Sequence, residues 1–133
     1  EIAAADVAKM KSQNTAVKNY ARYLHAQHTK CLHDVMALSR KQKINPVMNT
    51  TAVKLQHDAH EELTRLKALK KADFDRVYIN DAIQDHEAAL RLIDHDIAQA
   101  TNADLVQALK DIRIHVAMHL QKAKAVMQQL NSH

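Results

Sequence analysis

Between Val17 and Leu38, the positions Val17, Ala21, Leu24, His28, Cys31, Val35 and Leu38 recur in steps of four and three. That spacing is one face of an α-helix seen along its length. Asn14 stands where an N-cap would open this helix, which the pattern carries to about Lys43. Before it, residues 2–12 (IAAADVAKMKS) form a short Ala-rich helix with Ala5, Ala8 and Ser12 as a stripe of small side chains. The stretch KINPVMNTT breaks the pattern at Pro46 and restarts it near Thr50. Residues 52–70 carry Leu55, Ala59, Leu63 and Leu66 on one side, and residues 73–99 carry Phe74, Ala82, His86, Ala89, Ile93 and Ile97. Thr101 and Asp104 have the spacing of a capping box. The last helix follows, with Leu105, Leu109, Ile112, Val116, His119, Ala123, Val126 and Leu130 in its stripe. The prediction is an all-α antiparallel bundle in one domain spanning residues 1–133.

Composition sharpens this picture in a few places. The chain has no Gly, one Pro and no Trp, which suits helices and excludes a glycine-rich phosphate loop. The aromatics are only Tyr20, Tyr23, Phe74 and Tyr78, too few for a stacking platform for single-stranded nucleic acid, so none is expected as a partner. Cys31 is alone, so no internal disulfide forms. No run of about 18 apolar residues predicts a bilayer span. The basic runs 39–43 and 65–71 fall at helix C-termini, where positive charge complements the helix dipole.

Ten histidines are the unusual feature. His33 and His57 point away from the apolar sides of their helices, His25 and His115 lie beside them, and His60 is on a border. His28, His86 and His119 instead interrupt apolar stripes, each near the midpoint of its helix. Antiparallel helices joined by short turns bring their centres to one height, so these three imidazoles are expected in a central layer. Glu1, twelve residues before the first turn, reaches a similar height.

Inward imidazoles must satisfy their nitrogens. They do so either by a hydrogen-bonded core network or by sharing a metal ion, and both readings stand at this stage. As a donor set, three imidazoles with a carboxylate or water suit zinc, copper or ferrous iron. Cys31 and Met118 would bias the site toward zinc or copper if they reached it, but their ordinary reading is packing. A surface grip at His57, His60 and Glu61 is a further candidate. Di-iron oxidase chemistry is disfavoured, since no acidic residue stands three positions before a His. No catalytic constellation is visible, so the chain is read as a non-enzyme.

The runs VKNYARYLHAQHT, ADFDRVYINDAIQDHEAALRLI and HLQKAKAV resemble the exported bacterial family termed domain of unknown function 4142. The family's histidine motifs fall on His28-Thr29, Phe74-Asp75 with Tyr78, Asp85-His86 and His119-Leu120, and its early glutamate on Glu1. Gln27 replaces the usual Asp, and Ala5 and Lys70-Lys71 stand where glycine is common. The N-terminal half of the family's first helix has no counterpart here. The resemblance implies a ferritin-like four-helix bundle with residues 44–72 as a long crossover holding an extra short helix. It also implies a periplasmic or cell-envelope location. The expectation is a bundle that binds zinc or copper through His28, His86, His119 and Glu1, for metal handling or sensing. The alternative is a structural or interaction module whose histidines order its core. A homodimer would cover the groove left by the shortened first helix.

Overall fold

The structure, a computed structural model, describes residues 1–41, 43 and 50–132. Those residues form five helices and no strand: α1 (Ile2–Lys11), α2 (Thr15–Lys41), α3 (Thr50–Ala68), α4 (Lys71–Gln99) and α5 (Ala103–Asn131). The all-α expectation holds. The expected break at Pro46 lies outside the described residues. No described helix is long and apolar enough to cross a membrane. The chain divides into two compact units, one from Glu1 to Asp75 and one from Arg76 onward.

In the first unit, α1 buries Ala4, Ala5, Val7 and Ala8, and Ser12 just beyond it is buried as well. Small side chains let the backbone of α1 approach its neighbour closely, which explains a helix of only ten residues. The turn into α2 needs no glycine. Ser12 takes an extended conformation with ψ of 143°, and its Oγ accepts from the Asn14 amide at 3.1 Å. Asn14 Oδ1 in turn accepts from the amides of Ala16 at 2.9 Å and Val17 at 3.2 Å, the N-cap expected. Val17, Tyr20, Ala21 and Leu24 are buried along α2. Asp6 of α1 lies 3.4 Å from His25 Nε2 of α2, so the two helices run antiparallel. Lys11, the last residue of α1, donates from Nζ to the carbonyls of Leu66 at 3.1 Å and Lys67 at 2.5 Å. The same ammonium stands 5.5 Å from the centre of the Phe74 ring.

In the second unit, α4 and α5 form an antiparallel hairpin. Glu87 pairs with Lys124 at 2.7 Å, and Asp94 with Arg113 through two hydrogen bonds of 2.5 and 3.1 Å. Arg76 donates to the Leu130 carbonyl at 2.8 Å and also reaches Asn131 Oδ1. The N-cap of α5 is Asn102, whose side chain accepts from the Leu105 amide at 3.0 Å, one residue after the Thr101 expected. Tyr78, Ile79, Ala82, His86 and Ile93 are buried on α4, and His119, Ala123 and Val126 on α5.

The apolar stripes are only partly covered. On α2, Val35 and Leu38 are exposed with Leu32 and Met36 beside them, and on α5 Leu105 and Ile112 are exposed with Ile114.

Candidate metal centre

His86 and His119 are brought together by the α4–α5 hairpin. Each interrupts an apolar stripe, and each is almost wholly buried, at 3% and 5% exposure. Their ring centres lie 5.3 Å apart with the planes at 81°, an edge-to-face pair. Ala82, one turn earlier on α4, presents its carbonyl 2.6 Å from His86 Nδ1. A carbonyl oxygen only accepts, so Nδ1 carries the proton and donates, and Nε2 presents its lone pair. This is how a protein orients a metal-ligating histidine: the bond made by one nitrogen fixes the role of the other.

One ligating nitrogen from each of the two histidines falls within 4.8 Å of the other. Two imidazole nitrogens on a tetrahedral zinc are about 3.3 Å apart. The donors are imidazoles in an apolar layer, which suits zinc or copper and disfavours the hard cations calcium and magnesium. Two acidic groups of α4 are committed elsewhere. Glu87 is held below the usual carboxylate range by its hydrogen bond to Lys124 and the charge of that residue. Asp94 is held low in the same way by Arg113.

The other residues expected at the layer belong to the first unit. His28 is half-buried on α2, one turn beyond the fully buried Leu24. Glu1 is exposed at the start of α1, on a groove lined also by Ala4, Gln56, Ala59, His60 and Leu63. Among the described residues it belongs to no cluster of three or more metal-ligating side chains. Cys31 is exposed, correcting its reading as a small buried side chain, and Met118 is exposed too. His33, His57 and His115 are exposed and His25 is half-buried, as their helical positions foretold.

The sequence reading missed Tyr78 and Ile79, both buried on α4. Their signal was present, since Tyr78 continues the four-residue steps from Phe74 to Ala82. It also grouped His57 with His60, whereas the cluster that forms on α3 is His57, Asp58 and Glu61.

The model of the family described as domain of unknown function (DUF4142) matches residues 1–126. The chain belongs to that family. Neither a curated protein nor a solved structure matches the chain.

Proposed function

We propose that this protein binds a single transition-metal ion, zinc or copper, for handling or sensing rather than turnover. The observation that carries this reading is the buried His86–His119 pair, in which the Ala82 carbonyl holds the His86 lone pair on Nε2. The sequence register assigns His28 as the third donor, because it sits at the middle of its helix as the other two sit in theirs. Glu1 or solvent takes the fourth position. The proposal takes the ferritin-like bundle and the envelope location from the family resemblance.

Untagged protein purified without chelator is expected to take up about one equivalent of zinc or copper. His86→Ala and His119→Ala should each remove that tightly held equivalent while the far-ultraviolet helical signal persists. A chain that takes up no metal in elemental analysis, or variants that bind as the parent does, would overturn the reading.

A second reading rests on a different observation. The exposed Leu32, Val35, Met36 and Leu38 of α2 suit a structural or interaction module, with a second copy as one partner. Under that reading His86→Ala alters stability alone, and sedimentation reports a dimer whether or not metal is present.

A further inference from the structure

Away from the paired histidines, α3 carries its own cluster of ligating side chains on its solvent face. His57, Asp58 and Glu61 each offer one ligand atom, all within 4.8 Å of one another. His57 Nε2 stands 3.8 Å from Glu61 Oε1, and His57 Nδ1 stands 3.8 Å from Asp58 Oδ1. We propose that His57 and Glu61, with Asp58 as a third donor, form a surface grip for a borderline divalent ion such as zinc or copper(II).

Residues four apart lie one above the other on a helix, so His57 and Glu61 converge without any tertiary contact. At 3.8 Å the imidazole and carboxylate are too far apart for a hydrogen bond. They stand within about half an ångström of the separation of two donors on a tetrahedral ion. Lys54 occupies Asp58 Oδ2 at 2.5 Å, leaving Oδ1 as the oxygen on the His57 side, 3.8 Å from Nδ1. An imidazole with two carboxylates gives a mixed nitrogen and oxygen set, which zinc and copper accept and which is too small for calcium. Water completes the coordination, and the exposure of all three side chains gives the ion free entry. The site is independent of the His86–His119 pair, sharing no residue with it.

An ion held across one turn clips that turn shut, so binding must slow the opening of α3. The test is amide hydrogen exchange of the full chain during a zinc titration. Zinc should slow exchange of the α3 amides around residues 57–62 in the parent protein. His57→Gln and Glu61→Gln should each raise the zinc needed by at least about tenfold. His60→Gln, outside the cluster, should leave the effect within about twofold. The protection should also survive in His86→Ala, which separates this site from the buried one. Absence of zinc-dependent protection of α3 in the parent, or its persistence in His57→Gln, overturns the proposal.

Discussion

A single ammonium does much to hold the first unit together. Lys11 ends α1, yet its donors go to Leu66 and Lys67, the closing carbonyls of α3, while it stands over the Phe74 ring. Helix ends leave such carbonyls without intrahelical partners, and a positive charge there also complements the helix dipole. Lys11→Met keeps the aliphatic stem and removes the donors. We expect it to cost about 1–2 kcal/mol, seen as a lower urea midpoint with an unchanged slope. An unchanged midpoint would mean that water replaces the ammonium without loss. Nothing local in the sequence announces this role, because Lys11 reads as one more basic residue closing its own helix. His86 and His119 were legible for the opposite reason: each breaks an apolar stripe, and a stripe is a local property. Cys31 lies in a stripe as well and is nevertheless exposed. Periodicity tells which residues share a face; what covers that face is settled by packing.

At the scale of helices, caps and breaks were read more reliably than coverage. Asn14 opens α2 as its sequence position foretold. For α5 the capping-box spacing pointed to Thr101, but the amide of Leu105 bonds to Asn102. Two adjacent residues of good capping type leave the choice to backbone geometry, which sequence does not display. The second halves of α2 and the first half of α5 keep their apolar period while Val35, Leu38, Leu105 and Ile112 stay exposed. Among the groups that join α4 to α5 on the surface is the two-pronged pair of Asp94 and Arg113. The hydrogen bonding from Arg113 depresses the Asp94 carboxyl below its ordinary range, opposed by desolvation and reinforced by the charge of Arg113. A carboxyl depressed by folding adds stability above its unfolded value, near pH 4, and that stability is lost as pH falls through the folded value. Asp94→Asn should therefore lower the thermal midpoint slightly at pH 7, and the gap to the parent should close below about pH 4. Paired melts from neutral to acid pH check this. A gap that stays constant into acid would assign the loss to packing.

For the molecule as a whole, family membership is legible but its description names no activity, so any function must be carried by the donor set. A metal that binds only the folded chain shifts the folding equilibrium by its own affinity, about 2.7 kcal/mol when free metal stands at a hundred times its dissociation constant. Chelator added to metal-loaded protein should then lower the melting midpoint, and His119→Ala should remove most of that response. His28 belongs to a different compact unit from the His86–His119 pair, which makes it the informative position. If it donates the third nitrogen, His28→Ala should move the zinc dependence of the midpoint by about tenfold while leaving a reduced response from the remaining pair. A zinc curve that does not move would confine the centre to the α4–α5 hairpin. The mid-helix register would then reflect the family's sequence pattern alone, with no part in coordination.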